Sequence, residues 1–308
     1  MSTTTSRPDQ AYIVTGPTSG IGHRTALELA RHGTVVLVGR DREKLRSVQA
    51  EIEARPGGRA FCVVADFSDV RSVRHAAAEV AALGLPLAGL VNNAGVMLMQ
   101  DSRRNGQGWD LAFATNHLGP FAFTEALVPH LPDGANVVFV VSAAEDGERK
   151  IAVRAGFRGS RFISVEASAR GEWQPGGASR PGMDAYATSK QGNLASVFVL
   201  AREIPRLRLR AFEPGTNPST GLARDAGAFL ILLSKAMAPL VGHVKYFSTP
   251  KRAGRLLAAI ATDPSDASGT YYDERGKPMR ASTQVSNPEF ASRYIAQTRA
   301  LLATVASA

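Results

Sequence analysis

Short apolar runs alternate with longer amphipathic runs along the first half of the chain. The apolar runs have the length of strands and are rich in β-branched residues: YIVT (12–15), TVVLVG (34–39), AFCVVA (60–65) and LAGLVNN (87–93). Between them, residues 24–33, 41–54 and 69–83 carry apolar side chains at helical spacing. Because the strand runs are apolar on both faces, the alternation predicts a parallel sheet covered by helices on both sides.

Local signals predict where these helices begin and end. Asp41 precedes the second helix, and Ser68 or Asp69 precedes the third, as N-caps that accept hydrogen bonds from the first turn. Gly33 follows the first helix as its predicted C-cap.

The alternation resumes in the second half of the chain. Helical spacing recurs at 114–131, 186–204, 249–262 and 287–305, and strand-like runs lie at 136–142, 207–215 and 269–272. Asn287 and Pro288 form an N-cap and first turn for the last helix. We therefore predict an α/β fold with a seven-stranded, mostly parallel sheet. The sequence shows no linker and no internal repeat, so we expect residues 11–308 to form one domain, preceded by a polar, flexible tail at residues 1–10.

Two segments depart from this pattern. Residues 143–184 are rich in Gly, Arg, Ser and Pro, with aromatic and apolar residues at no regular spacing: Phe157, Phe162, Ile163 and Trp173. A loop of this length predicts an ordered flap near the site rather than a floppy surface excursion. The apolar stretch 226–242 contains Lys235 and Pro239, so we expect no stable membrane span there. This apolar stretch instead favours a substrate lid around residues 216–248.

Composition narrows the classes of function. The formal net charge is +9, but the basic residues are spread along the chain without a nucleic-acid motif, so we expect no nucleic-acid partner. A solvated basic surface would help to attract anionic cofactors. The single cysteine, Cys62, excludes an intramolecular disulfide, argues against a cysteine-based metal site and suits a cytoplasmic protein.

A glycine-rich stretch, TGPTSGIG at 15–22, joins the first strand to the first helix. Its glycine spacing of four and then two differs from the G-x-G-x-x-G fingerprint. Glycines let the backbone approach a pyrophosphate, and the helix N-terminus supplies oriented N–H groups, although a simple tight turn explains the stretch alone equally well. The predicted cofactor contacts here are Gly16, Thr18, Ser19, Gly20, Ile21, Gly22 and Arg24.

The next strand ends favour an adenine dinucleotide. Arg40 offers a planar cationic fork suited to a 2′-phosphate, while Asp41 could bind a ribose instead of capping a helix, so we predict NADP(H) over NAD(H). Asp66 could accept from the adenine amino group. Further predicted contacts are Phe67, Asn93, Ala94 and Gly95.

Tyr186 and Lys190 lie four positions apart, on one face of a predicted helix. A free tyrosine has a pKa of roughly 10, and a nearby cation lowers the pKa enough for acid–base work near neutral pH. Ser142 ends a strand at the same sheet edge, where its hydroxyl could bind a carbonyl oxygen. Asn116 lies in the helix before that strand.

Together TGPTSGIG, NNAG (92–95), Asn116, Ser142 and YATSK (186–190) resemble the short-chain dehydrogenase/reductase superfamily. The resemblance implies a Rossmann-type, doubly wound sheet that binds NAD(P). It implies that Tyr186 is the proton donor or acceptor, that Ser142 polarises the carbonyl, that Lys190 binds the nicotinamide ribose and tunes Tyr186, and that Asn116 holds a relay water. It also places Pro214, Gly215 and Thr216 at the nicotinamide.

Three features resemble the retinol-dehydrogenase-like and secondary-metabolite ketoreductase branch: the separation of 44 positions between Ser142 and Tyr186, the Arg40–Asp41 pair, and Ser189 with Asn193. Gln191 departs from the leucine common there. This branch implies an NADP(H)-dependent ketoreductase or alcohol dehydrogenase acting on bulky, largely apolar carbonyls or alcohols. The alternative is a non-catalytic NADP(H)-binding sensor or scaffold. The family also implies a homodimer or homotetramer.

Overall fold

The computed structural model describes residues 10–99, 103–215 and 248–306, and within them seven strands form one sheet. All neighbouring strands are parallel, in the order β3-β2-β1-β4-β5-β6-β7. The strands are β1 (Ala11–Thr15), β2 (Thr34–Gly39), β3 (Ala60–Val64), β4 (Leu87–Asn92), β5 (Asn136–Val140), β6 (Arg208–Phe212) and β7 (Thr270–Tyr272). The strand order reverses between β1 and β4, where open α/β sheets form a crevice at the carboxyl ends of their strands.

Helices cover both faces of this sheet. They are α1 (Gly20–Leu29), α2 (Arg42–Glu53), α3 (Val70–Ala82), α4 (Leu111–Phe113), α5 (Gly119–Leu127), α6 (Lys150–Arg154), α7 (Val165–Ala169), α8 (Pro181–Glu203), α9 (Pro250–Thr262), α10 (Thr283–Ser286) and α11 (Pro288–Ala303). Short 3-10 turns lie at Val128–His130 and Ala143–Glu145. Among the described helices, none is both long and apolar enough to cross a bilayer.

The two faces of the sheet bury separate apolar cores, as the sequence predicts. In β1, Ile13 packs into the core formed with α3, α5, α8 and α11, while Tyr12 and Val14 pack into the core formed with α1, α2 and α9. Successive side chains of a strand point to opposite faces, so a strand that is apolar throughout needs cover on both. The doubly wound arrangement is the result.

The predicted helix ends are confirmed at α2, α3 and α11, and wrong at α1. Asp41 accepts from the Lys44 backbone N–H at 3.1 Å, and Asp69, rather than Ser68, accepts from Arg71 at 3.0 Å. Helix α1 ends at Leu29, before Gly33. A β carbon at Gly33 would overlap the carbonyl oxygen of Gln10, so this glycine permits a close approach of two chain segments rather than a cap.

The predicted flap contains α6 and α7, and α8 begins at Pro181, inside the predicted insert. Two aromatic residues of this segment pack against other helices. Phe162 stacks on Tyr294 with ring centroids 4.2 Å apart, and Trp173 packs edge-on against Phe113 at 6.3 Å. The predicted lid residues 216–247, including Thr216 and the stretch 226–242, lie outside the described residues, as do residues 1–9 of the tail.

Candidate active site

The glycine-rich stretch follows β1 at the carboxyl edge of the sheet and turns tightly into α1. Gly16 and Gly20 have φ angles of 65° and 58°, in the left-handed region that favours glycine. A β carbon at Gly22 would overlap both the Gly16 carbonyl oxygen and Nδ2 of Asn93. These positions therefore need glycine for the loop to keep this shape.

Asn93 and Thr15 hold this loop against the end of β4. Nδ2 of Asn93 donates to the carbonyl oxygens of Thr15 (3.0 Å) and Gly16 (3.1 Å). The Thr15 hydroxyl accepts from the backbone N–H groups of Asn93 (3.0 Å) and Ala94 (2.9 Å). Thr15 was missed by the sequence analysis, although a polar residue that ends an apolar strand was a usable signal.

The N-terminus of α1 fits an anion. Ser19 is the exposed N-cap, and in the described residues its side chain makes no capping hydrogen bond and the first turn has no acidic residue. The first N–H groups of a helix lack partners within it and lie at the positive end of its dipole. Thr18 is partly buried, and Ile21 is buried in the first turn. A pyrophosphate group is suited to this loop.

Arg40 is exposed and directly follows β2. Strand β2 runs beside the glycine-rich stretch, where the Gly16 N–H donates to the Val38 carbonyl oxygen at 2.9 Å. Asp41 is a helix cap, and its carboxylate also pairs with Nζ of Lys44 at 2.7 Å. The hydrogen bonds from Lys44 lower the pKa of Asp41 below its usual range. Asp41 is thus already engaged, whereas Arg40 faces solvent.

The other predicted cofactor contacts, Asp66, Phe67 and Arg24, differ in which of their atoms can reach a ligand. Asp66 accepts from the N–H and hydroxyl of Ser68 through Oδ1, at 2.9 and 2.8 Å. Phe67 is buried edge-on against Phe123, with centroids 5.4 Å apart, so only its backbone can reach a ligand. Arg24 is exposed on α1, and its Cβ lies against Gly254 of α9.

Tyr186 and Lys190 lie together near the middle of α8, with Nζ 5.5 Å from the centroid of the phenol ring. Nζ of Lys190 donates to the carbonyl oxygen of Val140 at 2.9 Å, which links α8 to the end of β5. Ser142 follows β5, and its hydroxyl lies close enough to the phenol of Tyr186 to act on the pKa of that group. The structure thus brings these three predicted residues together.

Asn116 joins them from a π-helical turn, Ala114–Leu118, between α4 and α5. Its side chain accepts from the Val96 N–H (2.7 Å) and donates to the Val96 carbonyl (2.8 Å) and to the Ser189 hydroxyl (3.2 Å). The Asn116 carbonyl accepts from Nδ2 of Asn193 at 2.9 Å. Gly95 lies alongside, where a β carbon would come within 3.1 Å of Oδ1 of Asn116 and 3.7 Å of Nζ of Lys190.

The sequence predicts that a nearby cation lowers the pKa of Tyr186, and this prediction is wrong: the surrounding groups of the protein raise that pKa. Burial raises the pKa of Tyr186, the nearby Glu213 carboxylate raises it further, and the Ser142 hydroxyl only partly opposes them. Burial also lowers the pKa of Lys190 to about 8, against the opposing effect of Glu213. Desolvation disfavours the charged form of both groups and outweighs their mutual attraction.

A cavity of about 250 Å³ opens beside Ser142. Its apolar wall comes from α6 and the residues around it: Ile151, Ala152, Ala155, Phe157 and Met279. The Phe157 ring lies 6.0 Å from that of Tyr186, so this one aromatic of the flap does face the site. Glu213 and Gly215 also line the cavity, and Gly215, with φ of 73°, follows Pro214 beyond β6.

Comparison with known proteins identifies the family. Residues 10–160 match the family described as short chain dehydrogenase. Polyprenol dehydrogenase of Mus musculus is 32% identical over 285 residues, which cover 88% of this chain and 77% of that protein. A putative daunorubicin C-13 ketoreductase of Streptomyces sp. (strain C5) is 30% identical, with 90% and 87% covered. Retinol dehydrogenase 12 of Mus musculus is 30% identical, with 93% and 84% covered.

Solved structures agree. The crystal structure of a putative short chain dehydrogenase from Shigella flexneri 2a str. 301, complexed with NADP, is 25% identical with a TM-score of 0.62, and the match covers 87% of this chain and 98% of that chain. The chain therefore belongs to the short-chain dehydrogenase/reductase superfamily of oxidoreductases, in its retinol-dehydrogenase-like branch.

Proposed function

We propose that the protein is an NADP(H)-dependent oxidoreductase that interconverts a carbonyl and an alcohol on a bulky, largely apolar substrate. One observation carries the proposal. The phenol of Tyr186 lies beside Ser142 and Lys190, and Ser142 lines a cavity with an apolar wall. Such a set can bind a carbonyl oxygen and exchange a proton with it.

The residues present fit a phosphorylated adenine dinucleotide. The open N-terminus of α1 would take the pyrophosphate, Asp66 the adenine amino group, and the segment 93–95 the ribose. Arg40 would bind the 2′-phosphate, because Asp41 is already paired with Lys44 and a guanidinium recognises phosphate in a bidentate manner. The relative from Shigella flexneri was solved with NADP. Pro214 and Gly215 would face the nicotinamide, and Thr216 remains a prediction from sequence.

The nicotinamide supplies or takes the hydride, and the chain supplies positioning and the proton. Ser142 would donate a hydrogen bond to the substrate oxygen. Tyr186 would donate its phenolic proton to that oxygen in reduction and accept it in oxidation. Lys190 would hold the nicotinamide ribose beside Tyr186. The Asn116 carbonyl has a second lone pair, beyond the one used by Asn193, that could hold a relay water.

The substrate class follows from the cavity. Its wall of Ile151, Ala155, Phe157 and Met279 favours burial of apolar surface, while charged residues such as Arg149 and Asp273 also line the cavity. The names of three relatives refer to polyprenol, retinol and daunorubicin, all molecules with large carbon skeletons. We extend this class to the present chain as part of the proposal.

Two further parts of the proposal concern the protein's state. We infer a homodimer or homotetramer from the family, which light scattering on the purified protein would test. We infer a cytoplasmic location because the chain has a single cysteine, Cys62, and so needs no oxidising compartment.

The test is the loss of NADPH absorbance across a panel of aldehydes, aromatic ketones, quinones and polycyclic ketones, with NADH in parallel. We expect turnover of bulky apolar carbonyls with NADPH preferred. NADPH binding without turnover of any member would instead indicate a non-catalytic sensor or scaffold. Preference for NADH would contradict the role given to Arg40.

A further inference from the structure

Glu213 joins two loops of the candidate active site. It directly follows β6, is partly buried, and lines the same cavity as Ser142. One carboxylate oxygen accepts a short hydrogen bond from the backbone N–H of Ala143, and the other accepts from the N–H of Gly215 at 3.2 Å. Its own N–H donates to the Tyr272 carbonyl at 2.8 Å, which fixes it to the end of β7. The carboxylate therefore ties the turn that carries Ser142 to the turn that follows β6.

The charge of Glu213 acts on both ionisable members of the site. It raises the pKa of Tyr186, in addition to the larger effect of burial, and it raises the pKa of Lys190 against the effect of burial. A negative charge disfavours a neighbouring phenolate and favours a neighbouring ammonium, so both directions have the same cause.

Several charged and titratable groups face Glu213 from the elements around it. Tyr186 and Lys190 come from α8, Arg149 directly precedes α6, Tyr271 lies in β7, and Glu274 follows β7. Burial raises the pKa of Glu213 to about 7; Glu274 adds to this rise, whereas the N–H groups of Ala143 and Gly215, and Arg149, oppose it. Glu213 therefore changes its charge near neutral pH.

We propose that Glu213 is a positioning residue of the catalytic site, which holds the Ser142 turn in place and controls proton exchange at Tyr186 through its charge. The inference rests on the proposed oxidoreductase function. It concerns a side chain that directly precedes Pro214 and Gly215, the contacts that the sequence predicts for the nicotinamide.

The sign of the effect follows from the charges. Once Glu213 is ionised, it opposes formation of the Tyr186 phenolate. Glu213→Gln keeps the size of the side chain and removes the charge, so the phenolate forms at lower pH. We expect the limb of the pH–rate profile that reports Tyr186 to shift to lower pH by about one unit, both in oxidation and in reduction.

The measurement is kcat/KM against pH for wild type and Glu213→Gln, with Glu145→Gln as the matched control. Glu145 is a second buried carboxyl whose pKa burial raises to about 7, but it binds the N–H and hydroxyl of Ser282 and is not among the groups that shift Tyr186. A limb that shifts only in Glu213→Gln supports the proposal. A fall in kcat with an unmoved limb shows a merely structural role and overturns it.

A second readout needs no activity. Infrared difference spectra between pH 5 and pH 9 report carboxyl groups that lose a proton, and we expect Glu213→Gln and Glu145→Gln each to remove one such band. Should Glu213→Gln fail to fold, Arg149→Gln in the Glu145→Gln background serves instead: removing this cation should move the midpoint of the remaining band to higher pH. No remaining band, or an unmoved midpoint, overturns the proposal.

The two readouts separate this inference from the proposed function. A wild-type protein that turns over no carbonyl refutes the proposed function, while the infrared bands still report whether Glu213 titrates. An active protein whose pH limb is indifferent to Glu213→Gln refutes the inference alone.

Discussion

Lys190 donates from Nζ to the carbonyl oxygen of Val140, 2.9 Å away, and so joins the middle of α8 to the last residue of β5. The side chain is only 4% exposed, and a buried ammonium needs such a partner because it has lost its water. The contact fixes α8 relative to the strand that Ser142 follows. The packing of α8 against the sheet thus sets how close the Tyr186 phenol lies to Ser142.

Cofactor preference should depend on Arg40. Arg40→Gln removes the exposed guanidinium after β2. We expect KM for NADPH to rise about 10- to 100-fold, which is the range expected for the loss of a pair of charge-assisted hydrogen bonds. KM for NADH should change little. Arg42→Gln, an exposed arginine at the start of α2, is the control. Equal effects of Arg40→Gln on both cofactors would remove the argument for a 2′-phosphate site.

The shape of the glycine loop should depend on Gly22. In Gly22→Ala the new β carbon would overlap the Gly16 carbonyl oxygen and Nδ2 of Asn93, so the loop must open. We expect the Kd for NADPH, measured by fluorescence titration, to rise at least about 10-fold, since this corresponds to the loss of only one or two backbone contacts. Gly106→Ala, where a β carbon meets open space, should leave Kd unchanged. Unaltered binding in Gly22→Ala would place the pyrophosphate elsewhere.

The apolar wall should decide which substrates react well. Phe157→Ala removes the ring that faces Tyr186, and we expect kcat/KM for polycyclic ketones to fall about 10-fold or more, as expected for lost burial of an aromatic side chain. A small aldehyde should be affected far less. Ile163→Ala, on a side chain that is 51% exposed, is the control. A fall of the same size for small and large carbonyls would show that Phe157 supports the fold rather than the substrate.

Stability should depend on pH through Glu145. Burial raises its pKa from 4.5 to about 7, so between these values the folded state holds a proton that the unfolded state has lost. The stability contributed by the protonated carboxyl is complete below about pH 4.5 and lost as pH rises through about 7. The difference in unfolding free energy between wild type and Glu145→Gln should therefore fall by about 2–3 kcal/mol between pH 4.5 and 8.

Urea titrations at several pH values would measure this difference. Comparing the two proteins at each pH also cancels His117, whose pKa burial lowers to about 4 and whose effect on stability has the opposite sign in this range. A difference that does not vary with pH would mean that Glu145 remains in one charge state throughout.

Much of the fold was predictable because its signals are local. Strands that are apolar on both faces predict a parallel sheet with two covered faces. The starts of three helices are marked by Asp41, Asp69 and Asn287, each of which accepts a hydrogen bond from a backbone N–H no more than three residues later. The chemistry-bearing residues follow strands, or lie on one helix face, at spacings that can be read directly. The residues predicted for catalysis do meet in the structure.

What could not be predicted depends on contacts between distant segments. Thr15 binds the backbone of Asn93 and Ala94 across more than 75 positions, and its place at the end of a strand does not indicate which distant segment it binds. Gly33 resembles a helix cap in sequence but is needed for its approach to Gln10. Phe162 belongs to a segment with no periodicity, so its stacking on Tyr294 of α11 depends on tertiary packing alone.

The central claim is that Tyr186 exchanges the proton with the substrate oxygen, and single-turnover kinetics of Tyr186→Phe test it most directly. The measurement follows NADPH oxidation by a bulky ketone that the wild type reduces, and NADPH affinity is determined in parallel. The control is Tyr12→Phe, because the Tyr12 hydroxyl binds Gln10 away from the site. We predict a loss of about 10³-fold or more in the rate, typical of a missing general acid, with NADPH affinity and the melting temperature nearly unchanged. A Tyr186→Phe protein that reduces the ketone at a rate near that of wild type would contradict the account.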